Sequence, residues 1–498
     1  MTAMKKPAFN PYLPSWEFVP DGEPHVFDGR LYLYGSHDVR NGTSFCQDDY
    51  VVWSTPVDDL GDWRYEGIIY HKMQDPLNGA PYDGVLPQIN MPIGTKENPH
   101  LLYAPDVAKG PDGRYYLYYS LDFTSVISVA ASDSPAGPFQ FLDYVRTADG
   151  EISKAAGNWF DPAILSEESG NYLYFGFCPT FRFPGMENTV FPGAMMVKLA
   201  DDMHTVISDP ICVANGVDTA KGTPYEAHPF FEASSIRKIG DWYYFVYSSL
   251  QGNELCYGMA RTPEGPFEFK GVIHSNGDLG YQGNTQRVTY TGNNHGGLVQ
   301  VGDDVYIFGH RQTHGTSFSR QGVAEKVTIL PDGTIPQVEI TSCGLNGDPL
   351  PAKGSYPSYI ACHLTEKDLT RVGDVLTPGP NLPAPELPES MPYITEESHP
   401  DYEKRLKPYI ANLREGAVAG FKYLDFSGEE KTIALDLRGC GSVCIRLDSP
   451  SGAPVALLTH SSETWESSGA NLAKTIGTHA MYVTVTGGTL DFGGFTIS

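Results

Sequence analysis

Five polar side chains in the first 300 residues stand at nearly the same distance ahead of a glycine that opens an aromatic segment. They are Glu23, Asp106, Asp161, Glu232 and His295, which precede those glycines by 6, 7, 9, 8 and 7 residues. Carboxylates that are buried together cannot all stay ionised, so their pKa values are driven apart. One carboxyl group that keeps its proton and another that is ionised form the acid and base that hydrolyse a glycosidic bond.

The element that must position these side chains is a hairpin that occurs five times. In each copy a glycine opens a run whose alternate residues are aromatic or aliphatic, which is typical of a tight turn entering a strand. The copies are residues Val26–Ser36, Gly110–Ser120, Ser169–Phe177, Ile239–Ser248 and Val301–His310. Repeated units of this kind, with almost no helical periodicity, predict an all-β fold with a five-bladed β-propeller over residues 10–343. The alternative is a sandwich of unrelated hairpins.

The innermost strand of each propeller blade lines a central channel. A residue just upstream of each hairpin glycine therefore points toward the axis of the channel. The five polar residues are predicted to converge at one end of it.

The character of the sequence changes after the fifth hairpin. Six prolines crowd residues 378–392 and exclude a helix or a central strand there, so residues 344–406 are predicted to form a connector. Beyond it, apolar residues alternate with a period of two in runs that start at Ile433, Val443 and Tyr482. Residues 407–498 are therefore predicted to fold as a small antiparallel β-sandwich.

Composition limits the partners of the chain. Its 498 residues carry 34 Lys and Arg against 60 Asp and Glu, a net charge of −26, which disfavours nucleic acids and anionic membranes. Neutral, hydroxyl-rich ligands remain open, and 12% aromatic residues suit surfaces that stack on sugars. The eight cysteines are scattered, and the N-terminus has no apolar core of signal-peptide length, so a cytoplasmic location is expected.

The residues around the carboxylates resemble glycoside hydrolase family 43, whose members are inverting enzymes built on a five-bladed propeller. The family places its general base in an Asp-Pro pair ahead of the first hairpin, where this sequence has Glu23-Pro24. Glu23 is accordingly predicted to be the general base, although its side chain is one methylene longer. Asp21, two residues earlier, is the alternative base.

The two other catalytic positions match the pattern of the family directly. Asp161, in Asn-Trp-Phe-Asp-Pro, corresponds to the carboxylate that raises the pKa of the acid and orients the substrate. Glu232, in Glu-Ala-Ser-Ser, corresponds to the general acid. Each of them precedes its own hairpin.

The same resemblance implies four substrate-binding residues. Asp106, in Tyr-Ala-Pro-Asp, would contact sugar hydroxyls, with a structural hydrogen-bonding role as the alternative. His295 resembles the histidine that faces the channel centre near a bound calcium ion or a water cluster, with a histidine satisfied by hydrogen bonds as the alternative. Arg320 resembles a late arginine that reaches the substrate, with an exposed strand arginine as the alternative. Trp159 would stack on a sugar face, with packing between blades as the alternative.

The resemblance implies an exo-acting, inverting hydrolase that releases terminal β-D-xylose, α-L-arabinofuranose or both from plant-cell-wall oligosaccharides. It implies no cofactor for the chemistry. The C-terminal segment resembles a family 6 carbohydrate-binding module, for which packing on the propeller is the expected role. Two other hypotheses remain: a retaining, fructosidase-like propeller hydrolase, and a non-catalytic sugar-binding propeller, which the change at Glu23 motivates.

Overall fold

The computed structural model describes residues 8–78, 94–96, 98–153, 159–182, 189–369, 390–398 and 406–498. These residues form β-strands joined by turns and a few short 3₁₀ helices, which confirms the all-β prediction. Within these ranges, every helix is too short or too polar to cross a membrane. All eight cysteines are free thiols, and the cytoplasmic location stays a prediction.

The strands up to residue 327 build five antiparallel blades around one channel. Blades I and II contain β1 (Glu23–Phe27), β2 (Arg30–Tyr34), β3 (Tyr50–Pro56), β4 (Arg64–Tyr70), β5 (Asp106–Lys109), β6 (Tyr115–Ser120), β7 (Ile127–Ser132) and β8 (Gln140–Tyr144). Blades III and IV contain β9 (Ala163–Glu167), β10 (Gly170–Phe175), β11 (Gly193–Leu199), β12 (Ile211–Asn215), β13 (Phe230–Ile239), β14 (Trp242–Ser249), β15 (Glu254–Ala260) and β16 (Glu268–Ser275). Blade V contains β17 (Leu298–Val301), β18 (Asp304–Gln312) and β19 (Arg320–Val327).

The five predicted hairpins are the connections between the inner strand and the second strand of each blade. In blade I, Phe27 pairs with Arg30 across a turn in which Gly29 has a φ of 78°, a conformation that glycine adopts without strain. The inner strands β1, β5, β9, β13 and β17 contact one another in sequence around the channel, and β17 contacts β1. The prediction of a five-bladed propeller is therefore confirmed.

The N-terminal segment lies along β19, the outermost described strand of blade V. The side-chain amide of Asn10 donates to the carbonyl of Ala324 at 3.0 Å, and the Ala324 N–H donates back to Asn10 Oδ1 at 2.9 Å. The backbone N–H of Tyr12 donates to the carbonyl of Gly322 at 3.4 Å. The beginning and the end of the propeller thus meet in the same blade.

Apolar side chains fill the space between neighbouring blades. Tyr34, Tyr50, Leu117 and Phe139 belong to the cluster between blades I and II, and all are buried. Side chains of this type stabilise a fold by roughly 1.5–3 kcal/mol each when fully buried. The aromatic, alternating hairpins of the sequence are therefore what holds the blades together.

A second β-domain follows the propeller and has its own apolar core. Its strands are β20 (Leu350–Pro351), β21 (Gly354–Pro357), β22 (His363–Thr365), β23 (Tyr393–Ser398), β24 (Leu406–Arg414), β25 (Val418–Phe426), β26 (Thr432–Leu447), β27 (Pro454–Asn471) and β28 (Gly477–Ile497). The pairs are antiparallel, as predicted, except that β20 runs parallel to β25.

The prediction that residues 344–406 form a connector is wrong for the residues of this range that the structure describes. Strands β20 to β23 pair with β25, β28, β25 and β24, so they belong to the C-terminal sheet. The reason is burial, because Leu350, Tyr356 and Leu364 lie in the core of that domain. Five of the six prolines on which the prediction rested lie outside the described residues.

Candidate active site

The polar residues chosen by their offset lie where the inner strands begin. Glu23 and Asp106 are the first residues of β1 and β5, and Asp161 stands two residues before β9. Glu232 lies in β13, beside an irregularity in its pairing with β14, and His295 precedes β17. The structure brings these five residues to one end of the channel.

His295 connects two of the carboxyl groups. Its Nδ1 is 3.7 Å from Asp161 Oδ2, and its Nε2 is 4.0 Å from Glu23 Oε1. Burial lowers the pKa of His295 to about 4, so the imidazole is neutral at neutral pH.

Three residues at the acidic positions have a left-handed backbone. Asp21 has a φ of 56°, Asp161 a φ of 45°, and Ala233, next to Glu232, a φ of 67°. Such conformations cost non-glycine residues about 1–3 kcal/mol and concentrate at functional sites. In Ala233 the backbone N–H donates to Asp161 Oδ2 at 3.0 Å, so the carboxylate of one blade holds the chain next to Glu232 in another.

Asp21 forms a buried ion pair with Arg320. Its two carboxylate oxygens accept from Arg320 Nη1 at 2.9 and 3.2 Å, and its backbone N–H donates to His310 Nδ1 at 3.2 Å. Burial alone would raise the pKa of Asp21, but the charge of Arg320, followed by His310, outweighs burial and holds it well below the usual range. Asp21 is therefore ionised at neutral pH.

Arg320 is fully engaged by carboxylates. Its Nε and Nη2 donate to Asp38 at 2.9 and 3.0 Å, while Nη1 holds Asp21. The side chain is only 2% exposed. The structure corrects the predicted contact between Arg320 and the sugar, because the guanidinium binds Asp21 and Asp38 instead.

Glu232 has the opposite charge state. Burial, followed by the negative charge of Asp21, raises the pKa of Glu232 to about 8, with Arg320 opposing the rise. Burial and the charge of Glu232 likewise raise the pKa of Asp161 well above its usual value. At neutral pH the mouth of the channel thus holds one carboxylate that is ionised and one carboxyl group that can give a proton.

Glu23 does not fit its predicted role as the base. Its longer side chain reaches blade IV, where Oε2 accepts from Ser235 Oγ at 3.0 Å and from Arg237 Nη2 at 2.6 Å. Burial raises the pKa of Glu23 to about 8 in spite of Arg237. A carboxyl group that carries its proton cannot take one from water, so Asp21, the alternative, is the residue with the properties of a base.

Asp106 is a link between blades. Its Oδ1 accepts from the Val107 N–H at 2.8 Å and lies 2.6 Å from His25 Nε2, and its Oδ2 accepts from the Ile164 N–H at 2.8 Å. Both oxygens are buried and occupied. The predicted contact with sugar hydroxyls is therefore corrected to the structural role.

Trp159 is also a structural residue. Its side chain is completely buried, and its ring stacks on Phe175 with 3.9 Å between centroids. The predicted stacking on sugar is therefore corrected to packing between blades.

The aromatic surface of the mouth is formed by neighbouring residues that the sequence analysis missed. We call Tyr103, Phe160, Phe177 and Phe231 the aromatic arc, because successive ring centroids lie 5.5, 5.2 and 5.3 Å apart. All four are partly exposed. A repeated triplet could have revealed two of them, Phe160 and Phe231, since Trp-Phe-Asp and Phe-Phe-Glu each put a buried ring, a ring of the arc and an acid in succession.

The surroundings of His295 were tested against the calcium ion that the resemblance implies. Calcium prefers six to eight oxygen ligands. Among the described residues, the two clusters with metal-ligand spacing, Glu23–His25–Asp106 and His228–Glu254–Cys256, do not include His295. One unpartnered oxygen, Glu23 Oε1, faces its Nε2. These two groups do not make a calcium site by themselves. The carboxyl groups of the site supply the chemistry.

A channel mouth that brings an ionised carboxylate and a carboxyl group able to give a proton together contains the two groups that hydrolysis of a glycosidic bond requires. Comparison with known families agrees. The model of "Glycosyl hydrolases family 43" matches residues 82–335, and that of "Carbohydrate binding module (family 6)" matches residues 394–498. The chain belongs to glycosyl hydrolase family 43.

Individual relatives agree with this assignment. A xylosidase/arabinosidase from Thermoclostridium stercorarium is 45% identical over 503 residues, which cover 99% of each chain. A xylosidase/arabinosidase from Bacteroides ovatus is 31% identical over 287 residues, which cover 53% of this chain and 80% of its own. The structure of a family 43 enzyme from Xanthomonas citri complexed with xylotriose has a TM-score of 0.51 at 23% identity, covers 70% of this chain and 96% of its own, and shows the shared fold.

Proposed function

We propose that this enzyme is an exo-acting, inverting glycoside hydrolase that removes terminal β-D-xylose, α-L-arabinofuranose or both from plant-cell-wall oligosaccharides. The observation that carries the proposal is the buried ion pair of Asp21 with Arg320 in the same channel mouth as Glu232, which forms no such ion pair with a described residue and whose pKa burial raises to about 8. The xylosidase/arabinosidase that matches 99% of the chain supports the choice of sugars.

Each carboxyl group has one task in this mechanism. Glu232 gives its proton to the glycosidic oxygen as the bond to the anomeric carbon breaks. Asp21 takes a proton from a water molecule that attacks the opposite face of the sugar, so the anomeric configuration inverts. Inverting enzymes keep their two carboxyl groups roughly 6.5–9.5 Å apart to make room for this water.

Asp161 and the aromatic arc complete the mechanism. Asp161 accepts the N–H of Ala233, which fixes the backbone beside the acid. Phe160 and Phe231 directly precede Asp161 and Glu232 in the sequence. Their rings therefore offer apolar faces to the terminal sugar that the enzyme removes.

Turnover of two synthetic substrates tests this proposal. We expect the enzyme to release nitrophenol from the β-D-xylopyranoside, the α-L-arabinofuranoside or both, and the ratio of kcat/KM defines the preferred sugar. Proton NMR during the first minutes should show the inverted anomer. A retained anomer would favour the fructosidase-like hypothesis, and binding without turnover would favour the sugar-binding one.

We propose further that any calcium ion in the channel is structural and binds at His295, with water as its other ligands. The neutral imidazole supports this position. We expect calcium, but not magnesium, to raise the Tm, by an amount equivalent to about 2.7 kcal/mol at 100 times its Kd. The variant His295→Ala should lose this shift. Equal Tm values in calcium and in a chelator would contradict the proposal.

A further inference from the structure

The C-terminal domain reaches the catalytic end of the propeller through strand β23. The N–H of Ile394 donates to the carbonyl of Thr313 at 3.1 Å, and Ile394 forms a parallel bridge with His314. Residues 313–319 connect β18 to β19, and β19 begins with Arg320. A strand of one domain therefore pairs with the segment that presents the cation of Asp21.

Glu396, on the same strand, joins two parts of the propeller. Its Oε1 lies 2.6 Å from His314 Nε2, and its Oε2 lies 3.3 Å from Arg40 Nη1. The side chains of Glu396 and His314 are each 1% exposed, so water does not compete for this contact. One buried carboxylate of the C-terminal domain thus holds the segments around residues 40 and 314.

Both segments are continuous in sequence with the residues that hold the base, Asp21, in place. Arg40 stands two residues after Asp38, which binds Arg320 through its side chain and accepts the Arg320 N–H at 3.2 Å. The two segments also touch each other, because the Asn41 N–H donates to Ser319 Oγ at 2.9 Å. The two residues that Glu396 contacts, Arg40 and His314, are therefore two residues from Asp38 and six residues from Arg320 along the chain.

We propose that Glu396 is a positioning residue for catalysis, through which the C-terminal domain fixes the Asp38–Arg320–Asp21 ion pairs. The inference rests on the proposed role of Asp21 as the base. Loss of the negative charge weakens the contact with His314 and releases Arg40, and a misplacement of about 1 Å at an active site can cost 10²-fold in rate. The C-terminal domain is then part of the catalytic apparatus as well as a packing partner.

The variant Glu396→Gln in the full-length enzyme tests the proposal. We expect kcat to fall about 10- to 100-fold with KM little changed. The acid limb of the pH profile should also move to higher pH, because Asp21 loses part of the stabilisation from Arg320. Asp21 further faces His310, His295, Glu232 and Asp161, which the variant leaves in place.

Glu366→Gln is the matched control. Glu366 forms another buried ion pair between the domains, 2.8 Å from Arg287 Nη2, with side chains 2% and 5% exposed. This variant should lower Tm but leave the acid limb where it is. If both variants lower Tm and neither moves kcat or the acid limb, Glu396 is only structural and the proposal is wrong.

Two further variants keep the outcome clear. Arg40→Gln breaks the same connection from its exposed end, where the side chain is 37% exposed, and should reproduce the effect if Glu396→Gln does not fold.

Asp21→Asn separates this inference from the proposed function. If Asp21→Asn stays active, the proposed base is wrong. If Asp21→Asn is inactive but Glu396→Gln and Arg40→Gln behave like the wild type, only the inference about Glu396 is wrong.

Discussion

Asp21→Asn is expected to lower kcat/KM by about 10²–10⁴-fold, the usual contribution of general base catalysis. The amide keeps the shape of the side chain but cannot accept a proton from water. Glu23→Gln is expected to lose far less, because Gln resembles the protonated form that burial favours for Glu23, whose pKa is about 8. The measurement is kcat/KM for the better nitrophenyl pentoside at neutral pH.

Azide provides a control for this prediction. It is a nucleophile that needs no base, so it should restore turnover in Asp21→Asn and do nothing for the wild type. If Glu23→Gln loses as much activity as Asp21→Asn, or if azide rescues Glu23→Gln instead, the assignment of Asp21 is wrong. Glu23 would then be the base that the Glu-Pro pair first suggested.

Glu232→Gln is expected to show a loss that depends on the leaving group. An unsubstituted oligosaccharide leaves as a poor alkoxide unless it is protonated, so its hydrolysis should fall by about 10²–10⁴-fold. Nitrophenol leaves as a stable anion and needs little protonation, so the nitrophenyl pentoside should lose much less. The measurement compares kcat/KM of the variant for a pentose disaccharide and for the nitrophenyl substrate.

The pH profile checks the same role independently. In the wild type, kcat/KM should fall above about pH 8, because Glu232 loses the proton that it must give. Glu232→Gln has no proton to lose, so this alkaline limb should vanish. An equal loss for both leaving groups, or an alkaline limb that persists in the variant, would show that another residue is the acid.

Much of the propeller could be predicted because its signals are local. A hairpin needs only a turn glycine and alternating residues, and the offset of a polar residue from that glycine defines its place on the inner strand. Asp161, Glu232 and His295 were found in this way, and the structure brings them to one mouth. The triplets that contain Phe160 and Phe231 of the aromatic arc are equally local and could have been read with the same offset.

The choice between Asp21 and Glu23 could not be made from local pattern. The two residues are two positions apart, and both precede the same hairpin. What separates them is charge, since Asp21 meets Arg320 and Glu23 lies in a cluster whose burial keeps its proton. Arg320 is 299 residues away from Asp21 in sequence, so no short motif can indicate that the two side chains are in contact.

The predicted connector failed for a related reason. Strands β20 and β22 are only 2 and 3 residues long, too short to show a period. They are strands because the long strands β25 and β28 offer them partners, with β20 and β22 on β25 and β21 on β28. Tertiary pairing decides the structure of segments that carry so little pattern of their own.

The ion pair between Asp21 and Arg320 also makes assembly of the active site a late event in the synthesis of the chain. Because 299 residues separate the two, a ribosome adding about 5–20 residues per second adds Asp21 roughly 15–60 s before Arg320. Until then blade V lacks its strand β19, and the carboxyl group of Asp21 lacks the cation that holds it ionised. The two halves of this ion pair therefore meet only when the last blade closes the ring onto the first residues of the chain.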